Sequence, residues 1–278
     1  MRIDAHQHFW KLDRGDYGWL TSDLAPIYRD FLPQDLDATL AKHGIDGTVL
    51  VQAAPTLAET EFMLSLAAQT PFIKGVVGWV DFDSPEGLAD MRRLATNPAL
   101  VGLRPMIQDI ADTNWMLRDD ASPAFDALTA LDLTFDALTL PQHLKNLRRL
   151  LHQRADMRVV IDHASKPLIA DGIIDGWAAD MTALAKDTNA FCKLSGMVTE
   201  AGADWTAAQL KPYVDHLLAT FGPERLIWGS DWPVCTLAST YDAWVEATDT
   251  LLQGLTQQQR DAVLGGNARK AYKLVNIA

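Results

Sequence analysis

Short apolar runs rich in β-branched residues recur along this chain, separated by longer stretches in which apolar residues return every three or four positions. The runs are RIDAH from Arg2, GTVLVQA from Gly47, IKGVVGWV from Ile73, LVGLRP from Leu100, LTFDAL from Leu133, MRVVID from Met157, AFCKLS from Ala190 and RLIWGS from Arg225. Such runs are apolar on both faces, as strands of a parallel sheet covered on both sides must be. Between them, PQDLDATLAKHG predicts a helix opened by Pro33 and stopped by Gly44, and SPEGLADMRRLATN predicts one capped by Ser84 with Pro85 in its first turn. Regular alternation of strand and helix predicts a single (β/α)8 barrel of the TIM type over residues 1–278. An open doubly wound sheet is the second choice, but no glycine-rich dinucleotide loop follows the first strand. The stretch KLDRGDYGWLTSDLAPIYRDF, residues 11–31, reads as a long loop between the first strand and the first helix. Long loops at that end of a barrel usually carry function.

In a barrel the chemistry collects at the C-terminal ends of the strands, so the polar residues there carry the argument. In DAHQHFW, the period of two in a strand puts His6 and His8 on one face. Gln52 ends the second run, Trp79 and Asp81 the third, Arg104 the fourth, Asp162 and His163 the sixth, Lys193 and Ser195 the seventh, and Ser230 with Asp231 the eighth, while Asp136 lies inside the fifth. For Gln52, Asp81, Asp136, Lys193 and Ser195, structural hydrogen bonding accounts for the position as well as catalysis does. Three imidazoles and one carboxylate (His6, His8, His163 and Asp231) at one barrel mouth suit both metal ligation and acid–base work.

Composition narrows the class. The chain has 24 basic against 36 acidic residues, a net charge of −12, and no basic run beyond pairs such as Arg92-Arg93 and Arg148-Arg149. That excludes a nucleic-acid footprint. No segment has the length and apolarity to span a bilayer, and no signal-like segment precedes the first strand, so neither membrane nor secretion is expected. Cys192 and Cys235 are too few and too far apart for a disulfide framework, which suits a reducing, cytoplasmic setting. The expected partner is a small molecule, and the oligomeric state stays open.

DAHQHFW, VVIDHASKP from Val159, KLSGM from Lys193, RLIWGSDWPV from Arg225 and the terminal GGNARKAYKL resemble the amidohydrolase superfamily, specifically its branch of sugar-acid lactonases. Within that branch the chain is similar to the L-fuconolactonases and L-rhamnonolactonases, with HFW, DHxxKP and GSDWP as the more specific signatures. The resemblance implies hydrolysis of an aldonolactone to an aldonate. It matches His6 and His8 to the first-strand pair, His163 to the sixth-strand histidine and Asp231 to the eighth-strand general base. Members with two metals use a lysine or glutamate at strand four and many use a histidine at strand five, whereas Arg104 stands here and TFDALTL has no histidine. His6, His8, His163 and Asp231 could therefore hold one Zn²⁺-like ion but not two, and the resemblance does not make that ion a requirement, since the branch includes members for which it is dispensable.

The chemistry expected is a water deprotonated by Asp231, with the histidines polarising the lactone carbonyl. Arg104, Lys166 and Gln52 are candidates for holding substrate oxygens, and Trp10, Trp79 and Trp232 for apolar walls against the sugar. Alternatives on the same scaffold are hydrolysis of a dicarboxylated lactone, decarboxylation of an aromatic acid and lactone isomerisation. The last alternative is a non-catalytic sugar-binding barrel, which would be expected to have lost Asp231.

Overall fold

A computed structural model of the protein describes residues Met1–Leu274; the last four residues of the expected 1–278 domain lie outside it. Eight parallel strands follow one another in chain order: β1 (Ile3–Gln7), β2 (Gly47–Val51), β3 (Ile73–Gly78), β4 (Leu100–Leu103), β5 (Thr134–Ala137), β6 (Val159–Ile161), β7 (Phe191–Leu194) and β8 (Leu226–Trp228). The sheet closes where the His8 N–H donates to the Trp232 carbonyl at 2.7 Å and the Asp231 N–H to the His6 carbonyl at 2.7 Å. The architecture is the (β/α)8 barrel that the alternation predicts.

Helices α1 (Pro33–His43), α2 (Leu57–Ala67), α3 (Pro85–Leu94), α4 (Ser122–Ala130), α5 (Leu144–Gln153) and α6 (Asp175–Asp187) cross between successive strands. Beyond β7 lie α7 (Met197–Ala201) and α8 (Ala207–Phe221), and α9 (Tyr241–Leu251) follows β8. Helix α1 begins at Pro33 and ends where Gly44 turns left-handed at φ 61°, while the Ser84 hydroxyl caps α3 by accepting from the Gly87 N–H at 3.0 Å. Among the described residues no helix is long and apolar enough to cross a membrane.

Two apolar layers form. The larger lies between the strands and the helices; the smaller, which includes Ile3, Ala5, Val49, Val51, Val77, Val160 and Ile227, fills the barrel below the site, and the terminal turn Asn267–Ala271 with Tyr272 and Leu274 packs into it. The predicted runs overshoot the strands at the same end. Gln52, Trp79, Arg104, Asp162, Ser195 and Ser230 all lie just past the last paired residue, where the chain is free to aim them.

Candidate active site

Strand β1 does not alternate evenly. Its register against β2 slips between Asp4 and Gln7, the signature of a bulge. Asp4 faces outward, taking the Tyr241 hydroxyl at 3.1 Å, and Gln7 faces outward onto the Thr48 hydroxyl at 3.0 Å. Ala5 and His6 can then both face the barrel axis, and His8 returns to the same side, its ring centroid 4.9 Å from that of His6. Gly229 makes the approach of β8 to His6 possible, since a Cβ there would stand 2.6 Å from the His6 Cβ.

His163 is placed by unusual backbone. After β6, four consecutive non-glycine residues, His163, Ala164, Ser165 and Lys166, have φ between 50° and 56°. A left-handed turn of L-residues is disfavoured, so the surroundings must impose it. The Trp177 indole donates to the Ala164 carbonyl at 2.7 Å, the Ser165 and Thr139 hydroxyls lie 2.6 Å apart, and the Lys166 N–H donates to the His163 carbonyl at 2.8 Å. His163 Nδ1 lies 2.9 Å from the Ser195 hydroxyl. Asp231 also sits left-handed, at φ 59°.

These residues converge. Asp231 Oδ1 lies 3.2 Å from His8 Nε2, 3.7 Å from His6 Nε2 and 3.9 Å from His163 Nε2. His8 Nδ1 is 2.7 Å from the Val51 carbonyl, which only accepts, so Nδ1 carries the proton and a neutral His8 turns a bare Nε2 toward Asp231. Two acceptors at that separation call for a shared proton or a cation. Burial pushes the Asp231 carboxyl up, but His163, His8 and His6 outweigh it and hold the group below the usual carboxylate range. Burial lowers His163 to about 4 and, with Lys193 adding to it, lowers His6 well below the ordinary histidine value, so both rings are neutral at neutral pH.

Beneath the histidines runs a buried column of charge. Lys193 Nζ lies 2.6 Å from Asp136, 2.9 Å from Asp162 and 3.1 Å from His6 Nδ1. The Tyr272 hydroxyl donates to Asp136 at 2.7 Å. Arg104 Nη1 is 3.3 Å from both Asp162 and His6 Nε2, and its Nη2 donates to the Gln52 carbonyl. Burial opposes ionisation of Asp162, yet Lys193, His6 and Arg104 hold it well below its ordinary value.

A metal is a natural question for this donor set. One ligand atom each from His6, His163 and Asp231 can be chosen so that all lie within 4.8 Å of one another, close to the spacing around one small divalent ion. The facing lone pairs of His8 and Asp231 fit a cation as well. The donors suffice for one such ion, with nitrogen and oxygen ligands of the kind Zn²⁺ takes.

A cavity of about 240 Å³ opens above the cluster, lined by His8, Arg104, His163, Lys166 and Asp231 at its polar end and by Ala53, Met106, Leu138 and Val234 among its apolar walls. Of the predicted site residues, His8, His163, Asp231, Arg104 and Lys166 line it, and His6 stands just behind. Lys166 is half-buried, 3.7 Å from Glu200. Gln52 does not line the cavity; it is buried with its amide donating to the Arg104 carbonyl at 2.8 Å. Nor do the three rim tryptophans. Trp10 is fully buried and donates to the Arg29 carbonyl, Trp232 packs edge-on against Phe31 at 5.1 Å, and half-buried Trp79 belongs to the β3 end tied to Thr60. The indole that does face the cavity is Trp19, in the long loop after β1. Nothing in its immediate sequence marks it, although the loop itself reads as functional; Met106, Gln108, Asp109, Leu138 and Val234 carried no local signal.

Comparison with known proteins identifies the family and the fold. The family model described as amidohydrolase matches residues 3–274. An L-fucono-1,5-lactonase of Burkholderia ambifaria is 45% identical over 277 residues, covering 98% of this chain and 96% of that protein. Another, of Burkholderia multivorans, is 34% identical over 288 residues, covering 99% and 96%. The crystal structure of an amidohydrolase from Burkholderia multivorans with bound zinc superposes with a TM-score of 0.91 at 35% identity, covering 98% of this chain and 99% of that one. A match that runs from β1 to the terminal turn leaves no strand of the barrel outside it, and the chain belongs to the amidohydrolase family.

Proposed function

We propose that this protein hydrolyses the lactone of a neutral sugar acid, L-fucono-1,5-lactone or a close stereochemical relative, to the open-chain aldonate. The observation that carries the chemistry is Asp231, ionised at the floor of the cavity with three imidazole nitrogens within 3.9 Å of one of its oxygens. The substrate class rests on similarity to the two lactonases.

Charge at the mouth supports a neutral ring. The charged lining residues are Arg104, Lys166, Asp109 and Asp231. Arg104 is engaged by Asp162 and the Gln52 carbonyl, and Lys166 faces Glu200, so no lining cation among the described residues is left for a substrate carboxylate. A dicarboxylated lactone or an aromatic acid would need one.

Asp231 takes a proton from a water, whose oxygen attacks the carbonyl carbon as the proton leaves. Because the depressed pKa makes Asp231 alone a weak base, His8 Nε2, poised 3.2 Å away, shares that proton, and the two act as one acid–base pair. Ser195 can donate to His163 Nδ1, which leaves the His163 Nε2–H to hydrogen-bond the oxyanion. The bond from carbonyl carbon to ring oxygen then breaks, and the leaving alkoxide takes the proton back from the pair. When an ion such as Zn²⁺ is bound, His6, His163 and Asp231 with His8 would hold it, and it supplies Lewis-acid polarisation of the carbonyl.

The test is a panel of aldonolactones followed by acid release, with and without chelator, on wild type and Asp231→Asn. Loss of a positioned base predicts a fall in kcat of about 10²–10⁴-fold with the fold intact. Near wild-type turnover by the variant would remove Asp231 from this role, and turnover of a dicarboxylated lactone with no sugar lactone accepted would replace the substrate class.

A further inference from the structure

We propose that the ends of β2, β4 and β5, together with Trp19, form a subsite for the non-reacting part of the sugar ring, with the Trp19 indole as its apolar wall and the Gln108 amide as the acceptor for one substrate hydroxyl. This rests on the lactonase reading above.

Strand order around the barrel divides the cavity. The reactive groups come from β6, β8 and β1, as His163, Asp231 and His8, while Ala53, Met106, Gln108 and Leu138 come from the loops that follow β2, β4 and β5 on the other side. A lactone whose carbonyl meets Asp231 must direct its remaining carbons and hydroxyls toward that second group.

Trp19 is fixed there. It is one of the few large apolar side chains left exposed, at 38%, and its indole N–H donates to the Ala53 carbonyl at 2.7 Å. Ala53 is itself held by its N–H, which donates to the buried Glu59 carboxylate at 3.0 Å. The ring also meets Trp10 edge-on at 5.7 Å, and Trp10 is pinned by its own bond to Arg29. With its single polar atom engaged, the indole can offer the cavity only carbon surface, which suits the C–H face of a ring or a methyl substituent.

Gln108 supplies the complement. Its backbone N–H donates to the Leu138 carbonyl at 3.0 Å, which anchors the residue beside Leu138 and Met106 in the cavity lining. Its Nε2 reaches Asp109 at 3.4 Å, whereas its Oε1 is buried without a partner. The amide end is therefore only loosely tied, and a half-turn exchanging Oε1 with Nε2 would bring the acceptor out to a donor on the ligand, such as a sugar hydroxyl.

Steady-state kinetics of Trp19→Ala, Trp19→Phe and Gln108→Leu over a panel of epimeric and deoxygenated aldonolactones tests the assignment. Trp19→Ala should raise KM roughly tenfold with kcat little changed, and Trp19→Phe should recover most of the loss. Gln108→Leu should raise KM roughly tenfold for the preferred lactone and little for the analogue lacking the recognised hydroxyl. Unchanged KM in both Trp19→Ala and Gln108→Leu, or losses confined to kcat, would overturn the subsite. Failure of wild type to turn over any lactone would sink the lactonase reading instead. Calorimetric titration of lactones into Asp231→Asn would then decide the subsite alone: equal affinity with and without Trp19→Ala would overturn it, and affinity lost on that change would support it.

Discussion

Gly196→Ala isolates the positioning of His163 from the chemistry around it. Gly196 follows β7 with φ 66°, and a Cβ built on it would lie 2.6 Å from His163 Nδ1, 2.8 Å from Cγ and 3.1 Å from Cβ. Ordinary contact begins at 3.4 Å, so the ring must give by 3.4 − 2.6, or 0.8 Å. It has little room to retreat. Its backbone is locked in the left-handed turn, the Ser195 hydroxyl holds Nδ1, and the His6 ring centroid stands 4.4 Å away. The left-handed backbone costs an alanine about 1–2 kcal/mol, a modest loss for a barrel with a large core. Misplacing a catalytic group by on the order of 1 Å costs about 10²-fold in rate. We therefore expect kcat to fall about 10²-fold while Tm drops only a few degrees. Lactone turnover and thermal unfolding measured on the same preparation separate the two effects. A variant with wild-type kcat and a lowered Tm would show that His163 does not need the position this structure gives it.

Lys193→Met leaves Asp136 and Asp162 buried without their shared cation, and thermal or denaturant unfolding should report a loss of about 3–5 kcal/mol; an unchanged midpoint would mean the column is not charged as described. Elemental analysis of the purified protein should find no more than one divalent ion per chain, and two tightly held ions would reveal a bridging ligand outside His6, His8, His163 and Asp231. Burial raises the Glu59 carboxyl from 4.5 to about 7, so its contribution to stability is full below pH 4.5 and is lost as pH climbs through 7. Relative to Glu59→Gln, the wild type should therefore lose stability between about pH 4.5 and 7, and a constant difference across that window would refute the assignment.

Most of the barrel was legible because each apolar run had to be buried on both faces, and that requirement writes itself into composition. The ends of the runs were legible for a related reason. Residues such as Arg104, Asp162 and Ser195 are too polar to sit among Val, Ile and Leu unless the strand has finished, so their appearance marks the mouth. What stayed hidden depends on contacts between distant segments. The bulge in β1 is set by pairing with β2, and without it the alternation from Ile3 would send His6 outward with Asp4. The left-handed turn at His163–Lys166 contains no glycine to announce it, because Trp177, Thr139 and Ser195 impose it from elsewhere in the chain. The tryptophans show the same limit. An indole beside a catalytic motif, as in Trp10 and Trp232, was nearer in sequence but is spent on packing, while Trp19 reaches the cavity only because Phe31 pairs with Trp10 and closes the loop.

The buried charges below the site leave Asp231 as its uncompensated carboxylate. Arg104 and Lys193 sit against Asp162 and Asp136, so the two positive and two negative groups of the column offset one another. His6 and His163 stay neutral, since burial opposes their protonation. The uncompensated charge then falls on Asp231, at the one point where the column meets the cavity and where His8 can share a proton with it. A neutral substrate entering this mouth meets Asp231 among neutral imidazoles, with Arg104 and Lys166 already facing Asp162 and Glu200, an arrangement that favours proton removal from water over the binding of another anion. Removal of Lys193 should act on more than stability. Two carboxylates below the site would lose their shared cation, the field at Asp231 would become more negative, and its pKa would rise toward the working pH. In whatever fraction of Lys193→Met folds, the acid limb of the kcat/KM profile should therefore move to higher pH, and a limb that stays in place would mean that the column holds His6 without setting the charge at Asp231.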